Sequence, residues 1–172
     1  MKVAGVDPGV SGAVALMSGR QVLGVYDCPI YKTEVVNARA KKTKKGTISR
    51  SHYDIDGMLL VAQNLSPLKL AIIEEVSTYG LDPMSASQLV AGMELWTMAF
   101  LAAGVDVLRV RPADWKKHFK LKVKGDKRLS LFLAREKHPE ADDLLKFLYH
   151  HDRAEAILLA DYGLDYLNGR PR

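Results

Sequence analysis

Apolar and polar positions along the chain change period several times, and each change marks an element. KVAGVD (Lys2 to Asp7), AVALMS (Ala13 to Ser18) and QVLGVYD (Gln21 to Asp27) are short apolar runs bounded by turn residues. They predict three strands, the latter two joined by Ser18-Gly19-Arg20 as an antiparallel meander. Lys32 to Arg50 shows no period and is polar and basic, which predicts a flexible insert at about 32–50. From Asp54 to Leu65 the spacing turns helical, with Ile55, Met58, Leu59 and Ala62 on one face. Leu70–Ile73 reads as a buried strand running into Glu74-Glu75.

Pro83 fits the first turn of a long helix to Ala103, with Leu89, Met93, Trp96 and Phe100 as a core or dimer stripe. Val105–Val110 is a further strand, and Pro112 starts a short helix through Trp115 and Phe119. After the loop KLKVKGDK, helices are expected from Lys127 to Lys137, closed by Pro139, and from about Asp152 to Tyr162, stopped by Gly163. A meander followed by strand–helix crossovers predicts an α/β fold: a mixed sheet, antiparallel at the N-terminus and parallel after it, with helices packed against it. The length of 172 residues fits one domain, 1–172.

Composition narrows the function. No apolar run is long enough to span a bilayer, so no membrane partner is expected, and a cytoplasmic protein is the default. Cys28 is the single cysteine, which excludes an internal disulfide and a thiolate zinc cluster. The net charge of +5 is unevenly placed. Residues 31–50 net +6 and residues 109–128 net +7, leaving −8 on the rest. Two basic windows on an acidic body point to a polyanion. Lys116, Lys117, Lys120, Lys122, Lys124 and Arg128 would track one nucleic-acid arm, and Lys41, Lys42, Lys44 and Lys45 another. Solvated lysine-rich loops are the plain alternative.

The acids supply candidate chemistry. Asp7 and Glu74 sit at the carboxyl ends of two strands, where sites form in open α/β sheets. Asp152 and Glu155, three apart, share one face of a helix. If that face packs across the strand ends, four carboxylates converge and need a cation. Oxygen donors without thiolate favour Mg²⁺, with Mn²⁺ as substitute, and two ions would serve phosphodiester hydrolysis. Gly9 and Gly12 would leave room for a phosphate. Each piece also has a structural explanation: Asp-Pro-Gly is a turn signal, Glu74-Glu75 a strand surfacing into solvent, and DRAE before an apolar run a capping box.

These segments resemble the RuvC family of Holliday junction resolvases, within the ribonuclease H-like superfamily. GVDPGVSGAVAL is similar to the family's first-strand motif, AIIEEV to its glutamate segment, and DRAEA to its final-helix pair of acids. RPADWKKHFKL followed by GDK, together with HDRAEAILLADYG, looks closest to the short RuvC-like proteins of bacteriophages and prophages. The resemblance implies a ribonuclease H-like fold and a homodimer that places paired nicks in a four-way DNA junction, in a bacterial or phage-infected cell. It implies Asp7, Glu74, Asp152 and Glu155 as ligands of two metal ions, with no nucleotide cofactor, and Lys127 beside the scissile phosphate.

Three positions depart from the family. Glu155 stands where bacterial members usually have aspartate. Ser77 is nearest the place of their junction-wedging aromatic, which leaves Tyr79 as the substitute. His151, beside Asp152, could share its role. A nuclease of broader branched-DNA scope, acting on flaps or forks, and a noncatalytic DNA-binding protein on the same fold are the alternatives. An actin-like phosphotransferase would need a second lobe that 172 residues do not supply.

Overall fold

The computed structural model describes residues 1–36, 47–123 and 127–169. Its main sheet has the order β3-β2-β1-β6-β7, with β1 (Lys2–Asp7), β2 (Ala13–Ser18) and β3 (Gln21–Asp27) antiparallel. β6 (Leu70–Glu74) joins β1 in parallel and β7 (Val107–Val110) joins β6 in parallel. This is the mixed sheet that the pattern predicts.

Alternation along the strands sorts two cores. Val3, Ala13, Ala15, Leu70 and Ile72 face α5 (His151–Leu167) and α4 (Lys127–Lys137). Ala4, Val6, Val14, Ala71 and Ile73 face α1 (Ile55–Leu65) and α2 (Pro83–Ala102). The period of two across a pleated strand is what divides them. Asp54 caps α1 by accepting from the Gly57 N–H at 3.1 Å, and Asp82 caps α2.

Two sequence expectations are corrected. First, the insert is not structureless where it is described. Ile30–Val36 (β4) and Thr47–Tyr53 (β5) pair antiparallel over seven residues each, as a separate hairpin. Tyr31 stacks on His52, whose Nε2 lies 2.8 Å from the Thr33 hydroxyl. Cross-strand pairs of this kind hold a ribbon without the alternation that a buried face would impose. The hairpin is pinned to the body by the Tyr53 hydroxyl, which lies 3.2 Å from the Pro8 carbonyl and 3.0 Å from that of Gln88. Lys41, Lys42, Lys44 and Lys45 lie outside the described residues.

Second, the last helix does not stop at Gly163 but continues to Leu167. A Cβ on Gly163 would meet Ile72 of β6 at 2.4 Å, so this glycine serves close packing and not termination. Of the two readings of the α2 stripe, core or dimer seam, the structure bears out the core: Met93, Trp96 and Phe100 are buried against the sheet. The same helix exposes Met84, Val90, Met98 and Leu101. α3 (Pro112–His118) follows β7, and two short 3₁₀ turns, Pro139–Leu145 and Leu148–His150, lead into α5. Among the described residues no helix is long and apolar enough to cross a membrane.

The placement of α5 decides the site. A Cβ on Gly5, in the middle of β1, would lie 2.2 Å from the Ala156 carbonyl oxygen and 2.2 Å from the Ala160 nitrogen. Any side chain there would lift the helix off the strand. With glycine, the first turn of α5 lies over the carboxyl end of β1.

Candidate active site

Val6 of β1 and Ile73 of β6 are register partners in the parallel pair, so Asp7 and Glu74, one step on, end adjacent strands side by side. Both continue the α5-facing alternation set by Gly5 and Ile72. The helix brings Asp152 and Glu155 from the other side. The charges of Asp152, Glu74 and Glu155 all raise the affinity of Asp7 for its proton. Burial is the largest cause, followed by Asp152 and Glu74; the Gly9 N–H, 3.2 Å from Asp7 Oδ1, opposes them, and the carboxyl sits well above the usual range. Glu74 is pushed up to about 7, first by burial and then by Glu155, against the Trp115 N–H and Lys116, with Asp152 adding to the rise. The four acids therefore feel one another as one cluster, and folding leaves its charge only partly compensated.

Each carboxylate has a holder. α3 presents Trp115, whose indole N–H donates to Glu74 Oε1 at 2.9 Å while its ring is fully buried. Trp115 is thus a core residue and a partner of the site as well. The next residue, Lys116, places its Nζ 3.0 Å from Glu155 Oε1 and 4.9 Å from the centre of the Trp115 ring. The Ser130 hydroxyl of α4 donates to the same Glu155 oxygen at 2.9 Å. His151 Nε2 lies 2.7 Å from Asp152 Oδ1. Among the described residues neither Asp7 nor Glu74 pairs with an arginine.

Lys116 was expected on the DNA track; the structure places it inside the acid cluster as its resident cation, its side chain only 13% exposed. Trp115 and Ser130 are contributions that the sequence reading did not single out, and it did not pair Lys116 with Glu155. A tryptophan next to a lysine on a short helix reads as amphipathic surface until the helix is docked.

The donor set suits a hard divalent ion in kind: four carboxylates and no thiolate among them, with surplus negative charge. As placed, no group of three or more His, Cys, Asp or Glu among the described residues closes around a metal position. Glu155 is drawn to Lys116 and Ser130 instead.

Of the remaining predicted residues, Lys117, Lys120, Lys122 and Arg128 are exposed. Tyr79, in the loop after β6, is 94% exposed. Lys124 lies outside the described residues; Lys127 opens α4, and its side chain lies outside them as well. Gly12 does not leave room for a phosphate. A Cβ there would meet the Asp7 carbonyl oxygen at 2.1 Å, so the turn itself consumes the space. Two clefts flank the acids, one of about 240 Å³ reaching Asp7, Glu74 and Lys116, the other of about 610 Å³ reaching Asp152.

No family model and no curated protein matches the sequence. Solved structures do. "T. thermophilus RuvC in complex with Holliday junction substrate" is 16% identical with a TM-score of 0.59, covering 100% of this chain and 98% of its own. "Thermus thermophilus RuvC structure" is 15% identical with a TM-score of 0.50, covering 100% and 99%. At these identities the likeness is one of fold, and it extends end to end: the chain has the ribonuclease H-like architecture of the Thermus RuvC protein.

Proposed function

We propose that the protein is a divalent-metal-dependent endodeoxyribonuclease that resolves four-way DNA junctions by paired, symmetric nicks. The reading rests above all on the convergence of Asp7, Glu74, Asp152 and Glu155 at one end of the sheet with their charge left partly uncompensated. The RuvC-like fold and the flanking basic surface support it. In kind it would be one of the short RuvC-like nucleases of phages and prophages, acting in the cytoplasm of the bacterial host.

Asp7, Glu74, Asp152 and Glu155 would hold two Mg²⁺ ions, or Mn²⁺ in their place, which would supply charge neutralisation at the phosphate and acidify an attacking water. The protein's own groups do the rest. Trp115 fixes the rotamer of Glu74, Ser130 orients Glu155, and His151 steadies Asp152. Lys116, whose Nζ lies 3.0 Å from Glu155 Oε1, would be within reach of a phosphate held at the carboxylates. Lys127 is proposed near the scissile phosphate; Lys117, Lys120, Lys122, Lys124 and Arg128 would follow one DNA arm, and Lys41, Lys42, Lys44 and Lys45 a second. Tyr79 would enter the junction. Two copies, paired through the exposed Met84, Val90, Met98 and Leu101 of α2, would set the two nicks symmetrically.

A labelled four-way junction incubated with Mg²⁺ tests this directly. Paired cuts at symmetric positions are expected, and none with EDTA. Equal cutting of flaps and forks would widen the substrate class, and equal cutting of linear duplex would remove junction selectivity.

A further inference from the structure

The larger cleft, about 610 Å³, opens between the turn after β1, the end of β3 and the start of α5, and Asp152 forms part of its wall. Tyr149 lines it. The Tyr149 ring stacks on Phe147 with centroids 5.2 Å apart and planes 7° from parallel, yet the two residues remain 67% and 52% exposed. Both rings meet the edge of buried His150, at 4.5 and 5.2 Å, and His150 Nδ1 accepts from the Phe147 backbone N–H at 3.4 Å. The pair is therefore a held platform of stacked aromatic rings left open to solvent.

The charge inside the cleft selects what it takes. Its arginine, Arg153, is spent on Asp27 in a two-pronged pair at 2.6 and 2.5 Å, and its remaining formal charge includes the anionic Asp152. Among the described residues a phosphate would find no spare guanidinium there, whereas a neutral flat ring would find a stacking partner. We infer that Tyr149, backed by Phe147, is a base-stacking site for an unpaired nucleotide of the DNA strand, within a nucleotide or two of the phosphate at the acid cluster. This deepens the nuclease reading and rests on it, because the shared Asp152 makes the cleft continuous with the acids. Such a site would favour branched or distorted DNA, whose bases are free to leave the stack, over paired duplex. Stacking on an aromatic is tolerant of base identity, so the site adds structure selectivity without a sequence code.

Binding and chemistry are read separately. An Asp7→Asn background keeps the DNA intact, and 2-aminopurine replaces the base beside the cleavage position of a four-way junction. Docking on Tyr149 should change its fluorescence on binding. Tyr149→Ala should abolish that change and weaken junction binding roughly 5- to 100-fold, with little effect on duplex binding. Tyr149→Phe should preserve both. In the unsubstituted chain, 5-iododeoxyuridine at the same place should photo-crosslink to the peptide holding Phe147 and Tyr149, a readout that does not depend on any variant folding. Crosslinks confined to other segments, or Tyr149→Ala binding like its parent with the signal intact, would overturn the platform even if wild type cuts junctions. Loss of cutting in wild type with the Tyr149-dependent signal preserved would overturn the nuclease reading and leave the platform standing.

Discussion

One helix carries two acidic pairs, and the fold treats them in opposite ways. At the start of α5, Asp152 and Glu155 join Asp7 and Glu74, with Lys116 beside Glu155, and Glu74 is pushed up to about 7. Toward its end, Asp161 and Asp165 are also buried, Asp161 with no exposure at all, but cations surround them. Arg20 reaches both carboxylates; Lys137 lies 3.1 Å from Asp161, His138 lies 3.4 Å from it, and His118 lies 2.9 Å from Asp165. Burial alone would raise Asp161, yet His138, Lys137 and Arg20 outweigh it and bring the carboxyl down to about 2. The difference separates buried acids that folding has matched with basic partners from buried acids it leaves repelling one another. A site that folding has already neutralised has no call for a divalent ion, and one left repelling itself does.

The comparison breaks most sharply if the two ends respond alike to neutral substitutions. Asp7→Asn and Glu74→Gln should each lower junction cleavage by more than the roughly 10–100-fold typical of losing a metal ligand's outer partner, leave junction binding in place, and keep or raise the metal-free melting temperature. Asp161→Asn should do the reverse. It takes the fully buried carboxylate away from Arg20, Lys137 and His138, which costs about 2 kcal/mol and lowers the melting temperature by roughly 4–8 °C, while cleavage below that temperature persists. Melting curves and single-turnover assays on the same preparations decide it.

pH sharpens the contrast, because the two shifts have opposite signs. Asp161, held below its ordinary value, stabilises the fold above about pH 4, and that contribution is lost as pH falls toward 2. Glu74, held above its ordinary value, makes the metal-free protein lose stability as pH rises from about 4.5 to 7. Each effect is on the order of 2–3 kcal/mol. Metal-free melts in buffers from pH 2 to 8 should therefore show a dome. Asp161→Asn should flatten its acid side and Glu74→Gln its neutral side, and Mg²⁺ should restore stability near pH 7 in wild type only. A wild-type plateau from pH 4.5 to 7 without metal would contradict the uncompensated cluster.

The smallest effect concerns the resident cation. Lys116→Met removes the charge that competes for Glu155, so Mg²⁺ should stabilise the variant at concentrations several-fold lower than wild type. An unchanged midpoint in Mg²⁺ titrations followed by melting would make Lys116 irrelevant to ion entry.

Much of this was legible in the order of residues. The three N-terminal strands match their predicted bounds, because one-sided turn chemistry and short apolar runs leave few alternatives. Asp7 and Glu74 were legible as acids at strand ends. The β4–β5 hairpin was not, since a ribbon held by pairs such as Tyr31 with His52 shows no apolar face. Nor was Gly163 legible as a packing residue, because a helix-ending glycine and a glycine under a strand's isoleucine are written with the same letter.

Periodicity and side-chain type are local properties, and they were enough for the main sheet, most of the helices and the acids able to bind a cation, but not for the β4–β5 hairpin. Which acids crowd one another and which meet basic partners was settled by folding. That depends on where Gly5 lets α5 settle, and on which lysines, arginines and histidines reach each end of that helix. Coulomb energy in a buried setting is set by separation in space, and separation along the chain says little about it.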